Sequence, residues 1–174
     1  EKYNNPKACS FAILNRNNTT KYIKKINKKT LDKYGIKNIG FPLVDSVVQR
    51  SLVATGGTVL ASKLALNYGV ACNTAGGSHH ANYNEGAGYC VFNDVAVAAY
   101  YLLDRGLANR ILIVDLDVHQ GNGTSEIFKD NRHVFTFSMH SKTNYPAKKS
   151  ISDLDVELED DLEDDAYLKT LKFY

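Results

Sequence analysis

Tryptophan is absent from this chain, methionine occurs once, and proline and cysteine occur three times each. Each scarcity excludes something. Cys9, Cys72 and Cys90 show no paired spacing and no Cys-x-x-Cys element. That argues against a disulfide scaffold and a cysteine-based metal site, and for reduced thiols in a cytoplasmic setting. No apolar run is long enough to span a bilayer and no signal peptide is recognisable, so no membrane partner is expected. A net charge of +2 is too small to mark a nucleic-acid binder. The most basic stretch, Lys21 to Lys37, interleaves its lysines with Tyr22, Ile23 and Ile26. That is the pattern of a solvated amphipathic face rather than an anion-binding surface. There is no internal repeat and no low-complexity linker.

What is present is ordinary globular material. With 174 residues, 44% hydrophobic and 23% charged, the chain is long enough to bury a real core as one domain. Residues 1–19 carry no recognisable motif and stay unassigned, whereas 20–174 reads as domain. Thr20 to Tyr34 reads as a basic helix ended by Gly35. Pro42 is placed to open the next helix, and Leu43 to Thr55 keeps helical spacing. Gly56-Gly57 interrupts that spacing, either as a close packing point or as a break, and Thr58 to Asn67 resumes it. Val70 to Asn73 reads as a short buried strand. Asp94 to Arg105 reads as a helix capped by Asn93 or Asp94. Ile111 to Val114 reads as a central strand buried on both faces. Glu126 to Lys129 gives a helical turn, Val134 to Ser138 a strand, and Val156 to Leu158 an extended piece. The acidic run Glu159 to Asp165 fits the solvated, capped start of a last helix, Ala166 to Tyr174. Helices alternating with short apolar strands predict an α/β fold with a parallel sheet flanked by helices. Ligands of such sheets sit beyond the carboxyl ends of strands.

The chemistry concentrates at such ends. Asp115, Asp117 and His119 follow the strand Ile111 to Val114 at alternating positions. If strand geometry persists, all three point the same way. Two carboxylates and an imidazole converging at a buried strand end need a compensating cation. Imidazole plus carboxylate suits zinc, whose catalytic sites keep one position open. The alternative, a capping network for the following turn, accounts for one Asp but not for two Asp and a His together. His79-His80 follows Gly76-Gly77, and glycine lets backbone approach a ligand closely. Gly88 and Tyr89 could line a narrow pocket or form a plain loop. Ser138-Met139-His140 reads first as an ordinary strand terminus, and His133 as a surface residue.

Four motifs in order and register then carry a resemblance: Gly76-Gly77-Ser78-His79-His80-Ala81, Gly88-Tyr89-Cys90-Val91-Phe92-Asn93-Asp94, Asp115 to Gly123, and Ser138-Met139-His140. Together they resemble the zinc-dependent histone deacetylases, closest to the class IV-like branch and its bacterial relatives. Ile39-Gly40-Phe41-Pro42 looks like that branch too. The resemblance implies an arginase/deacetylase-type sheet, of which this chain holds an incomplete, interior part. It implies amide hydrolysis of an acylated-lysine protein or a small acylated amine.

Asp117 and His119 resemble two of three zinc ligands. His80 resembles the general base, His79 its electrostatic partner, Asp115 the carboxylate orienting His79, and Asn122 the group facing His80. Gly88 and Tyr89 match the acyl-lysine tunnel. Asp115, Asp117, His119, Ser138 and Met139 match a structural monovalent-cation site, such as K+, Met139 through its carbonyl. Phe128, Asn131 and Val134 match a second such site. The family's third zinc ligand and its transition-state Tyr belong to later segments that this chain does not reach. The expectation is therefore a fragment with impaired activity, or one half of a split deacetylase completed by a downstream chain. Arginase-like binuclear manganese chemistry on the same fold is disfavoured by His79-His80 adjacency.

Overall fold

Parallel strands need crossover connections, and this chain supplies one through a helix, between its first two strands, and one through a long loop, between its second and third. The computed structural model describes residues 4–174. Its elements run α1 (Phe11–Leu14), α2 (Thr20–Asn27), α3 (Lys33–Ile39), α4 (Asp45–Tyr68), α5 (Asp94–Asp104), β1 (Ile111–Asp115), α6 (Asn122–Phe128), β2 (Val134–Ser141), β3 (Leu154–Leu158) and α7 (Asp164–Phe173). The sheet order is β1-β2-β3, parallel throughout. Asp115 pairs with Ser138, and Met139 with Val156. The α/β expectation, a parallel sheet flanked by helices, holds.

Three cores set the site in place. Between the N-terminal helices and α4–α5, a cluster forms from Leu14, Tyr22, Ile26, Ile39, Phe92 and Val97. Each large side chain buried there contributes roughly 1.5–3 kcal/mol. The second core lies under the sheet, where Ala96 and Ala99 of α5 meet Ile113, Phe128 and Val134. Over the opposite face, Tyr167 and Leu171 of α7 cover Phe137, Met139 and Val156.

Several sequence expectations change. Ile111–Val114 is not buried on both faces: Ile113 is buried, but Leu112 and Val114 are exposed. α5 covers one face of β1, and α7 reaches across the other face only as far as β2 and β3. Val70–Asn73 is not a strand, because among the described residues no strand lies beside it to complete a ladder. Instead the Asn73 side chain donates to the Ala54 carbonyl and to Thr58 Oγ1, tying the segment to α4. The single helix Thr20–Tyr34 is two. Lys29 takes φ 55, and Asp32 caps α3 by accepting from Gly35 N at 2.8 Å. Gly35 thus lies inside α3, and Gly40, at φ 84, ends it.

α4 starts at Asp45 rather than Pro42 and runs through Gly56-Gly57 unbroken. A Cβ on Gly56 would lie 1.9 Å from the Lys7 carbonyl oxygen. The residue 7–9 segment crosses α4 there, with Cys9 N donating to Leu52 O at 2.8 Å. The acidic run does not cap α7, since Glu163 at its N-cap position makes no side-chain hydrogen bond to it. Asp160 accepts from Ser141 Oγ and Thr143 Oγ1, fastening the β3–α7 loop to the end of β2. Among the described residues, no helix is long and apolar enough to cross a membrane.

Candidate active site

β1 ends at Asp115, so strand alternation does not carry Asp117 and His119 to one side. Hydrogen bonds do. Asp115 Oδ1 accepts from Asp117 N at 3.1 Å, and Asp117 Oδ1 accepts from His119 N at 2.8 Å. Each carboxylate turns the backbone two residues on, the habit of Asp in such turns. The result brings Asp117 Oδ1 to 2.9 Å from His119 Nδ1.

The His pair meets this loop from the other side. His79 Nδ1 lies 2.6 Å from Asp115 Oδ2, and His79 Nε2 lies 3.8 Å from Asp117 Oδ1. His80 Nδ1 lies 2.7 Å from Asn122 Oδ1. The two rings sit 4.0 Å apart, and His80 is 5.8 Å from His119, centroid to centroid. His79, His80, Asp115, Asp117, His119 and Asn122 therefore form one cluster.

Positioning residues absent from the sequence reading hold it. Asp94 is fully buried and does not cap α5; Asn93 does, accepting from Ala96 N. Asp94 instead accepts from the backbone N–H groups of Gly77 and Ser78, and from the Thr58 hydroxyl, fixing the loop that leads into the histidines. Buried Gln120 donates to Ser150 O and Asp155 Oδ1 and accepts from Ser150 N. It thereby clamps the β2–β3 loop against the site. That loop carries Tyr145, whose ring meets His80 edge-on at 4.8 Å. The signal for Asp94 was its place in Phe92-Asn93-Asp94. Tyr145 had none, since a loop tyrosine is unremarkable until folding places it.

A cleft of about 760 Å³ opens onto this cluster, lined by Ile39, Gly88, Tyr89, Tyr145, His80 and Asp117 among others. Gly88 takes φ +53, and a Cβ there would lie 2.5 Å from His80 Cδ2. The glycine lets the wall close on the imidazole. Tyr89, at φ 66, packs against Phe41 with ring centroids 5.1 Å apart and the planes tilted by 56°.

The electrostatics separate the two histidines. Burial opposes charge on His79, but the hydrogen bond and charge of Asp115, with Asp117 and Asp94, outweigh it and raise its pKa. Burial, then the neighbouring His79, lowers His80 to about 4 despite Asn122. Burial opposes the charge of Asp117, yet the His119 N–H and the two imidazoles hold its pKa below the usual value.

Asp117 and His119 present an oxygen and a nitrogen donor face to face, a set that suits zinc. Among the described residues, no group of three or more His, Cys, Asp and Glu side chains is arranged to hold a metal ion. Around the expected monovalent-cation position, Asp115 is paired with Ser138 across the sheet. Ser138 Oγ accepts from Gly121 N and lies 3.0 Å from His140 Nδ1, and Met139 is buried against Val156. At the second position, the Phe128 carbonyl accepts from Asn131 N and the Asn131 carbonyl from Val134 N.

The histone deacetylase domain family model matches residues 1–173. The chain is 53% identical over 150 residues to a Picosynechococcus sp. protein described as uncharacterized, covering 86% of this chain and 50% of that one. It is 38% identical over 120 residues to histone deacetylase 2 of Arabidopsis thaliana, covering 67% of this chain and 31% of that one. Its structure matches the crystal structure of a histone deacetylase homolog from Aquifex aeolicus with a TM-score of 0.84 at 27% identity, over 96% of this chain and 50% of that chain. Fold and site thus define a deacetylase-type α/β domain. The chain belongs to the histone deacetylase family, and it spans half or less of the length of these relatives.

Proposed function

We propose that this chain carries the proton-transfer and metal-binding part of a zinc-dependent deacetylase acting on acyl-lysine or a similar acylated amine. The observation that carries the reading is the split pair: His79 against a carboxylate, His80 against an amide, beside facing Asp117 and His119 donors. Asp117 and His119 would hold zinc. Bound zinc supplies Lewis acidity toward the amide carbonyl and acidifies water.

His80 does the proton work. Asn122 Oδ1 accepts, so the proton of neutral His80 sits on Nδ1 and Nε2 keeps its lone pair. Its lowered pKa keeps it neutral at pH 7. His80 Nε2 can therefore take a proton from water as the oxygen adds to the carbonyl carbon. It returns that proton to the nitrogen as the C–N bond breaks, leaving acid and amine. His79, inclined to protonation by Asp115, adds positive potential where negative charge develops. Tyr89 and Tyr145 wall the acyl chain. Ser138 and Met139 beside Asp115 would hold a monovalent cation such as K+ that steadies the end of β1.

The test is a chimera in which this chain replaces its matched half of the Picosynechococcus protein. With zinc, it should deacylate acetyl-lysine peptides, and His80→Ala should slow turnover by ~10²–10⁴. A folded, zinc-loaded chimera without turnover, or turnover indifferent to His80→Ala, contradicts the proposal.

A further inference from the structure

The cleft that opens onto the histidines carries lysine at its lip. Tyr34 and Lys37 of α3 line it. A helix brings residues three and four apart to one face, so Lys33, one turn before Lys37, shares that lip. Both lysines are exposed. Tyr34 is 74% exposed and Tyr89 69%, which leaves bare aromatic wall beside the ammonium groups. Lys149 donates to the carbonyls of Asn144 and Pro146 at 2.6 and 2.8 Å, bracing the turn that holds Tyr145. Carbonyls accept from it without cancelling its charge. Among the described residues, the one carboxylate lining the cleft is Asp117, a candidate zinc ligand. Lys29, Lys129 and Lys142 each pair with a carboxylate, whereas Lys33, Lys37 and Lys149 pair with none among the described residues. The solvated-face expectation for Lys21 to Lys37 fits α2, where Tyr22, Ile23 and Ile26 are buried and Lys24 and Lys28 are exposed. It does not fit Lys37, which lines a cleft.

Low-dielectric walls with one sign of charge concentrate the field within a cleft. An acylated lysine is itself uncharged, so this field acts on its neighbours in the carrier. We propose that Lys37, with Lys33 beside it, is a specificity-determining residue that selects acylated lysines flanked by Asp or Glu. The proposal rests on the catalytic reading, because it takes the acyl-lysine to enter this cleft. Carboxylates next to the acylated lysine meet ammonium groups at the lip. Flanks rich in Lys or Arg, and acylated polyamines, meet like charge and are turned away. The cleft receives the C-terminal turn of α3, and among the described residues no arginine lines it. Nothing there is built for a phosphate dianion, which favours helix N-termini and guanidinium forks. Hydrolysis then creates a free ammonium in a cleft that already holds Lys37, and the repulsion favours departure of the product.

The experiment measures fluorescence anisotropy of fluorescein-labelled acetyl-lysine peptides, flanked by Glu, Lys or Gly, on the chain with zinc present. The Glu-flanked peptide should bind ~10-fold more tightly than the Lys-flanked one at low salt, and the gap should shrink to ~2-fold at ~0.5 M salt. Lys37→Gln should narrow the gap to ~3-fold, and Lys33→Glu with Lys37→Glu should reverse the order. Lys24→Glu with Lys28→Glu makes the same charge change on the solvated face of α2 and should leave the order as it was. In the zinc-loaded chimera the same order should appear in kcat/KM. Equal binding of the three peptides, binding of none, or a preference for Lys flanks overturns the proposal. So does a Glu preference that the α2 control shifts as far as the α3 variant, since net charge alone would then explain it. An unacetylated Glu-flanked peptide that binds as tightly also overturns it, by showing a surface that ignores the cleft. A Glu preference that follows Lys37 without turnover leaves the proposal standing and counts against the catalytic reading instead.

Discussion

Asn122 and the cysteines are the residues whose environments make the plainest demands. An amide opposite His80 leaves burial and His79 free to lower its pKa to about 4. Asn122→Asp places a carboxylate there and should move the His80 titration upward, toward the ordinary imidazole value of about 6.5. NMR titration of the ring protons reads this directly, and an unmoved midpoint would show that the partner does not tune His80. Burial pushes Cys9 and Cys90 each up to about 11, whereas Cys72 is exposed. At pH 8 a disulfide reagent should therefore titrate one thiol in the native protein and three in denaturant. Cys9 also gives a pH dependence. Its folded pKa lies above the unfolded 9.0, so unfolding releases a proton between about pH 9 and 11 and stability falls as pH rises through that window. Cys90, raised equally, contributes in the same window, so Cys9→Ala should reduce that part of the slope and Cys9→Ala with Cys90→Ala should flatten it. At this scale the sequence was informative where roles lie in contiguous motifs. Asp94, Gln120 and Tyr145 escaped because their partners lie far along the chain: Ser78 for Asp94, Ser150 for Gln120 and His80 for Tyr145.

Elements were read well where periodicity or caps were strong and poorly where neighbours decide. α5 with its Asn93 cap and the strands β1 and β2 follow from local signals. Val70–Asn73 has strand-like composition, yet a strand exists only with a partner, and composition cannot supply one. The two-sided burial of β1 failed for the same reason, since a second covering layer is a property of the assembly. β1 gives a matched test. Ile113→Asp faces α5 and should cost ~3 kcal/mol or more as an unpaired buried charge. Leu112→Asp, one residue away on the bare face, should cost no more than ~1 kcal/mol. Chemical denaturation of both variants checks the contrast, and equal losses would contradict the face assignment. Gly56→Ala in α4 should cost ~1–3 kcal/mol, because the residue 7–9 crossing must move aside. A stabilised variant would mean that the crossing is not held in solution.

At the largest scale, the described residues build a three-stranded parallel sheet flanked by helices, with the candidate site beyond the end of β1. Asp117 and His119 lie on the loop after β1, and the His pair lies across from them. Catalytic zinc sites hold the metal with three protein ligands, and two are offered among the described residues. The chain alone should therefore bind zinc weakly, and its turnover of acetyl-lysine peptides should be negligible. The measurement that bears most directly on this account is a zinc competition titration against a chromophoric chelator. It compares the wild type with Asp117→Ala, His119→Ala and the surface control His133→Ala. The account predicts one zinc per chain for the wild type and His133→Ala, and at least ~10-fold weaker binding in the other two. Equal zinc affinity in all four proteins would contradict it.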